Sequence, residues 1–324
     1  MNGALAAPLA LHDFEPEVDR FRDEVLAGLH QAQKAIPCKY FYDEHGSHLF
    51  DQICELDEYY PTRTEMAIMC DHVAEMAELL GRGCMLIEYG SGSSVKTRIL
   101  LDHLCAPAAY VPLDISREHL LRSAAKLAVA YPRLKVLPVC ADYTTRFELP
   151  PCPRPVARKV VYFPGSTIGN FEPEYALGFL RHIAQTCGAG GGLLIGVDLK
   201  KDVRVLEPAY NDARGITAAF NLNLLRRING ELGADFQLDQ FRHHAFYNEE
   251  AGRVEMHLVS LRAQTVHLAD AVIALRPGES IHTENSYKYA LAQFAGLAQQ
   301  AGFKTWKVWT DRRQLFSVHY LTVN

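Results

Sequence analysis

The stretch Glu88-Tyr89-Gly90-Ser91-Gly92-Ser93-Ser94-Val95-Lys96-Thr97 decides how the rest of the chain reads. It follows the short apolar run Met85–Tyr89 and leads into an amphipathic segment beginning near Val95. A glycine-rich turn between a strand and a helix lets backbone N–H groups approach a ligand closely. Outward from this turn the same rhythm repeats. Apolar runs at Ala109–Leu113, Lys135–Val139, Lys159–Phe163 and Leu193–Val197 alternate with helical patterns. One of these helices is opened by Ser116 and stopped by Pro132, and another runs from Pro173 to Cys187 and is ended by Gly188. Strands alternating with helices predict an α/β fold, a parallel sheet with helices on both faces.

The flanks depart from that rhythm. Glu15 to Lys34 carries Val18, Phe21, Val25, Leu26 and Leu29 on one helical stripe, interrupted at Pro37. Thr62 followed by Glu65 reads as a capping box opening a helix through Met66, Met69, Val73, Met76 and Leu80 to Gly81. Lys201 to about Arg253 reads as a long helical stretch. Phe303–Thr310 and Leu315–Val323, separated by Asp311-Arg312-Arg313-Gln314, form a hairpin-like pair expected to add antiparallel strands to the sheet edge. The chain should therefore divide into a cofactor-binding core, residues 61–200 with 286–324, and a second lobe. Residues 1–60 supply the helical part of that lobe and 201–285 its insertion.

Composition agrees. The chain has 324 residues, 48% hydrophobic and 22% charged, which excludes disordered, collagenous and coiled-coil classes. Single cores stop growing near ~250–300 residues, so two lobes are expected. A net charge of -5 without a concentrated basic face argues against nucleic acid as partner. The longest uncharged stretch, Ile183–Val197, is too short for a membrane span of ~20 apolar residues. No Lys or Arg precedes the short apolar run at the N-terminus, so no signal peptide is expected. The eight cysteines include no C-x-x-C pair and no zinc spacing, which points to reduced thiols in the cytoplasm and no metal. His243-His244 has no acidic or cysteine partner at metal spacing and reads as structural or exposed. Cys140 lacks a neighbouring base, and His45 reads as a turn residue. A monomer is the default expectation.

Three ligand classes compete for the glycine turn. The dinucleotide fingerprint G-x-G-x-x-G fits two glycines, but Val95 stands where the third belongs. The phosphate loop G-x-x-x-x-G-K-[ST] fits Gly90, Lys96 and Thr97, and Leu193–Asp198 resembles an apolar strand ending in a magnesium-binding Asp. Val95 replaces its final glycine, and a β-branched residue opposes the backbone geometry that admits phosphates. The third class is S-adenosylmethionine. Glu88 opens the loop, Asp114 ends the next strand twenty-odd residues on, where it can accept from both ribose hydroxyls, and Asp142-Tyr143 can meet the adenine edge and face. Three acidic strand ends on one rim make a coherent nucleoside site.

Four motifs then appear in order: Phe41-Tyr42-Asp43-Glu44-His45-Gly46-Ser47, Glu58-Tyr59-Tyr60-Pro61-Thr62-Arg63-Thr64-Glu65, Glu88-Tyr89-Gly90-Ser91-Gly92 and Gly165-Ser166-Thr167-Ile168-Gly169-Asn170-Phe171. Together they resemble the histidine-specific methyltransferases of ergothioneine biosynthesis, which convert L-histidine to its trimethylbetaine, hercynine. The resemblance runs from about residue 13 to the C-terminus. It implies a class I S-adenosylmethionine-dependent methyltransferase fold, Rossmann-like with antiparallel C-terminal strands, plus a substrate-binding lobe. It places Tyr42, Gly90, Lys96, Asp114, Asp142 and Tyr143 against S-adenosylmethionine, with Lys96 reaching the carboxylate of its methionine part. It places Tyr59, Asn170, Tyr210, Glu284 and Ser286 at the amino acid, and Met256 in the ring pocket. Tyr42 and Tyr59 would stand at the reacting amine. Spacing from Tyr42 selects Tyr59, with Tyr60 the alternative.

Relatives in this family accept other aromatic amino acids, so the substrate rests on Glu284 and Ser286. At i and i+2 in an extended segment they face the same way, and a carboxylate beside a hydroxyl can meet both nitrogens of an imidazole. An indole would leave one group unpaired, a penalty of roughly 1–3 kcal/mol. The competing reading is that Glu284 caps a helix begun near Asn285. The expected activity is N-alpha-trimethylation of L-histidine; the alternatives are an N-methyltransferase of another aromatic amino acid and, more remotely, a phosphate-loop nucleotide-binding protein.

Overall fold

The computed structural model describes residues 11–14, 18–92, 95–145 and 147–323. Ser93 and Ser94 of the glycine turn, and Glu15 to Glu17 of the first helical stripe, lie outside the described residues. In chain order the elements are β1 (His12–Phe14), α1 (Val18–Leu29), α2 (Glu44–Cys54), α3 (Tyr60–Leu80), β2 (Cys84–Tyr89), α4 (Val95–Leu101), β3 (Ala109–Asp114), α5 (Arg117–Ala130), β4 (Val139–Ala141), β5 (Arg158–Phe163), α6 (Pro173–Cys187) and β6 (Gly192–Asp198). They continue with α7 (Val203–Leu206), α8 (Ile216–Leu232), β7 (Phe241–Asn248), β8 (Arg253–Ser260), β9 (Gln264–Leu268), β10 (Ala271–Leu275), β11 (Ser280–Tyr287), α9 (Leu291–Gln300), β12 (Phe303–Thr310) and β13 (Phe316–Val323).

The large sheet has the order β1-β4-β3-β2-β5-β6-β13-β12. All pairings from β1 to β6 are parallel, and β13 joins β6 antiparallel with β12 outside it. The hairpin-like C-terminus is therefore the expected antiparallel addition. β2, β3 and β6 are buried at every position, as strands covered by helices on both faces must be. One apolar cluster lies on each face: Ile87, Val111, Phe163 and Ile195 with α6 and α9, and Leu86, Tyr110, Val160 and Leu194 with α3. Each fully buried Val, Leu or Ile among these contributes roughly 1.5–3 kcal/mol. After the edge strand β1 the chain starts the central strands at β2, builds outward to β4, then returns to β5 on the other side. The sheet order thus reverses at the carboxyl end of β2, where α/β sheets hold their ligands.

The second lobe departs from the sequence reading. Only 216–232 of the expected helical stretch is one long helix. Residues 241–248 form β7, which pairs with β8 in the antiparallel sheet β11-β8-β7, and β9 and β10 make a separate hairpin. Phe241 and Ala245 point inward, but the polar residues between them hide the strand pattern. The helices α1, α2 and α8 pack with these strands around Phe41, Phe220, Leu224, Met256 and Ile281. Two lobe boundaries also differ. β1, inside the expected helical part, pairs with β4 of the large sheet, and β11 carries the second lobe's sheet through residues 286 and 287. The predicted strand at 135–139 is displaced to β4, with Val136 making only an isolated bridge to Tyr110.

Candidate active site

A cavity of about 660 Å³ opens at the carboxyl ends of β2, β3 and β4 and runs under β11. A small chamber of about 30 Å³ adjoins it, and Tyr42, Phe50, Tyr59, Gly165, Thr167, Asn170 and Glu284 line both. The two lobes thus meet around one continuous site.

The cofactor half is built by strand ends. Gly90 turns the chain after β2 with φ 71°, a conformation that favours glycine, and its N–H donates to Leu113 O at 2.8 Å. Asp114 ends β3 and accepts from Gly92 N and Ser116 N, both at 3.0 Å. Burial raises its pKa despite those bonds. Asp142 follows β4; burial would raise its pKa as well, but Thr144 and the Lys39 ammonium at 3.1 Å hold it below the usual range. Tyr143 lies parallel to Tyr89, ring centres 5.7 Å apart, and lines the cavity with both aspartates. Lys96 lines it too, its ammonium paired with Glu65.

Two expectations fail here for one reason, that local spacing does not reveal distant partners, and the phosphate-loop alternative finds no support. Glu65 caps nothing: α3 starts at Tyr60, and the fully buried Glu65 carboxylate holds Lys96 and accepts from Gly165 N at 3.0 Å. Glu88 is absent from the rim. It lies beneath the turn, accepting from Thr97 Oγ1 at 2.5 Å and from Tyr110, and burial pushes it up to about 8. Thr97 and Asp198, which a phosphate loop would turn to magnesium, are committed elsewhere: Thr97 to Glu88, and Asp198 to two lysines.

The substrate half comes from the second lobe. Glu284 and Ser286 lie on β11 opposite Met256 and Val254, beyond a bulge at His282, and both line the small chamber. The segment is extended and β11 continues through Asn285, so no helix exists there for Glu284 to cap. Burial pushes Glu284 up to about 7, partly countered by the Lys288 charge. Asn170 ends the short helical turn Thr167–Asn170, which Gly169 seats against β11; a Cβ there would lie 2.7 Å from Tyr287 O. Tyr42 meets Phe50 edge-on at 5.6 Å, Phe50 meets Tyr59 at 6.3 Å, and Tyr59 meets Tyr210 at 6.3 Å, forming an aromatic wall. Tyr59 faces the chamber, whereas Tyr60 is turned away and donates to Asp198 at 2.6 Å. Met256 does not line either cavity: its side chain sits in the core of the second lobe, and its carbonyl accepts from Thr283.

One wall of the chamber is a charged cluster whose two lysines, Lys201 and Lys288, were not among the expected site residues. Lys288, 1% exposed, places its ammonium 2.7 Å from Asp198, 3.0 Å from Tyr210 Oη and 2.8 Å from Ser286 Oγ. Lys201 pairs with the other Asp198 oxygen at 2.6 Å, and burial lowers its pKa to about 8. Two ammonium groups share one aspartate, so the cluster presents positive charge toward Glu284 and the chamber. The alternation Glu284, Ser286, Lys288 along one extended segment was the available signal.

The remaining candidates are bland. His243 bonds Asn221 and Tyr210 O, Cys140 is buried, and the exposed His45 belongs to the first turn of α2, which Asp43 caps through Gly46 N. Glu255, His257 and His282 bring ligand-type atoms within 4.8 Å of one another, yet the Arg253 guanidinium, 2.8 Å from Glu255, already supplies positive charge there.

Comparison with known proteins completes the picture. A family model described as histidine-specific methyltransferase, SAM-dependent, matches residues 21–323. The chain belongs to that family. The histidine N-alpha-methyltransferase of Mycolicibacterium smegmatis is 41% identical over 298 residues, covering 90% of this chain and 92% of the relative. That of Mycobacterium tuberculosis is 39% identical, covering 90% and 91%. Ergothioneine biosynthesis protein 1 of Neurospora crassa is 32% identical over 89% of this chain but only 33% of its own length. Membership of this methyltransferase family makes the chain an S-adenosylmethionine-dependent enzyme, and the Rossmann-like sheet that the resemblance implies is present. Among the described residues no helix is long and apolar enough to cross a membrane.

Proposed function

We propose that this methyltransferase transfers three methyl groups to the α-amino nitrogen of L-histidine, giving hercynine for ergothioneine biosynthesis, as a cytoplasmic enzyme. The observation carrying the substrate is the pairing of Glu284 and Ser286 on one wall of the small chamber. Two polar groups in register suit a ring with two nitrogens.

The cofactor half fits S-adenosylmethionine by its donor set: carboxylates at two strand ends for the ribose and adenine, a tyrosine face, and one ammonium for a carboxylate. When bound there, S-adenosylmethionine supplies an electrophilic methyl group. The chain's own residues then align and desolvate the acceptor. Asn170 and Tyr210 hold the substrate carboxylate, drawn in by the spare positive charge of the Lys201, Lys288 and Asp198 cluster. Glu284 and Ser286 hold the ring. The amino group is left among Tyr42, Phe50 and Tyr59, facing the large cavity. An ammonium has no lone pair, so the amine must arrive or become neutral, and a desolvated position near the positive Lys201, Lys288 and Asp198 cluster favours that form. The same rings offer faces to the cation that grows with each methyl.

Calorimetry on Glu284→Ala tests the assignment. Histidine affinity should fall at least tenfold, about 1.4 kcal/mol, with S-adenosylhomocysteine affinity unchanged. Equal losses for both ligands would overturn it.

A further inference from the structure

We propose that Lys288 is a positioning residue that turns the hydroxyl protons of both Ser286 and Tyr210 toward the substrate, so that the ring recognised is the neutral imidazole, with a lone pair toward Ser286 and an N–H toward Glu284. This rests on the histidine reading above and adds the protonation state of the substrate and the residue that selects it.

The argument is a count of donors and acceptors. A lysine ammonium has three N–H donors and no acceptor. Lys288 has three oxygens around it, those of Asp198, Tyr210 and Ser286, at 2.7, 3.0 and 2.8 Å. Each hydroxyl must therefore accept from Lys288, and neither can return its proton there. Tyr210 Oη in turn donates to Ser286 Oγ at 2.7 Å. Ser286 Oγ then accepts twice, which uses both of its lone pairs, and the one role left to it is donation into the chamber. A protonated imidazolium brings two N–H groups and no lone pair, so it would meet a donor at Ser286. The neutral ring brings one of each. A substrate carboxylate arriving at Tyr210 takes the Tyr210 proton and frees one Ser286 lone pair, but the Lys288 ammonium 2.8 Å from Ser286 Oγ still keeps that hydroxyl from donating backward and disfavours a second cation beside it. Lys288 is held for this task by Asp198 Oδ2, which also accepts from Tyr60, while Lys201 binds Oδ1. Removing the Lys288 charge leaves Asp198 paired with Lys201, so Lys288→Met keeps the buried charges balanced.

Two measurements test the proposal. In the wild-type protein saturated with S-adenosylhomocysteine, the affinity of L-histidine is compared with that of the 1,2,4-triazole analogue, whose ring stays neutral. Between about pH 8 and about pH 5.5, most free histidine rings become protonated. The ratio of the two dissociation constants should rise about tenfold in histidine's disfavour, and any titration of Glu284 cancels in that ratio. A constant or falling ratio would mean that imidazolium is accepted, and would overturn the proposal. A wild-type protein that binds no histidine at all would instead overturn the substrate reading. The second measurement is a cycle of Lys288→Met with Ser286→Ala, with S-adenosylhomocysteine binding as the control for folding. Lys288→Met should weaken histidine at least tenfold alone and under threefold in the Ser286→Ala background. Equal losses in both backgrounds would make Lys288 merely structural.

Discussion

Gly196 lacks a side chain where the Glu65 carboxylate lies: a Cβ on Gly196 would stand 2.1 Å from Glu65 Oε1. A residue in the middle of β6 is thus kept small for a buried anion from α3. That anion is what holds Lys96 and the Gly165 amide at the floor of the cofactor cavity. Gly196→Ala should displace Glu65 at a cost of roughly 1–3 kcal/mol, lowering Tm and weakening S-adenosylhomocysteine binding together. An unchanged Tm and unchanged binding would show that Glu65 has room elsewhere.

Lys96 compensates Glu65 and lines the cavity in which we propose that it meets the cofactor's carboxylate. Lys96→Met should weaken S-adenosylhomocysteine at least tenfold, because it leaves an unpaired buried carboxylate beside an anionic ligand. Glu65→Gln in that background should recover part of the loss. Calorimetry reads both, and a double variant no better than the single would refute the repulsion.

Two backbone amides hold Asp114 in place, and its carboxylate is the group we propose for the ribose. Asp114→Asn puts an amide donor against one of those N–H groups and removes charge from the ligand bonds, at roughly 1.5–3 kcal/mol. S-adenosylhomocysteine affinity should fall about ten- to a hundredfold in calorimetry. An effect under threefold would place the ribose elsewhere.

Glu284 sets a pH dependence of stability. Its carboxyl is held up to about 7 by burial, from an ordinary 4.5. A raised folded value favours folding through the protonated form, a contribution fully present below about 4.5 and lost as pH rises through about 7. In the unliganded protein, Glu284→Gln should therefore raise Tm relative to wild type at about pH 8 and leave it nearly unchanged at about pH 4, as read by scanning calorimetry. The opposite ordering would mean that the carboxylate is stabilised by its surroundings.

Phe50 stands between Tyr42 and Tyr59 in the aromatic wall. If ring faces stabilise the methylated cation, Phe50→Leu should weaken dimethylhistidine by about 0.5–2 kcal/mol more than histidine itself. Time courses should then show partly methylated products accumulating. Equal weakening of both ligands would assign Phe50 to packing alone.

Much of this was readable in the chain, and the gaps share a cause. The parallel strands carry unbroken apolar runs, and Asp114, Asp142 and Asn170 sit at fixed short distances from them. Glu284 and Ser286 come from the family resemblance, and their i, i+2 spacing then puts them on one side of an extended segment. Glu65 did not, because Thr62 and Glu65 satisfy the local pattern of a helix cap while the real partners lie 31 and 100 residues away. The phosphate-loop alternative for Asp198 arose in the same way, because its buried partner Lys288 lies far along the chain. β7 was read as helix because its inward residues, Phe241 and Ala245, are too few to outweigh the histidines and arginine between them. Met256 matched a family position, yet its β8 register turns the side chain into the lobe's core.

The central claim is the substrate. Incubating the protein with S-adenosylmethionine and a pool of the common amino acids, followed by mass spectrometry, tests it most directly. The account predicts histidine as the one amino acid consumed, carrying three added methyl groups at the end point. Methylation of tryptophan or tyrosine in its place, or no methylated amino acid at all, would contradict it.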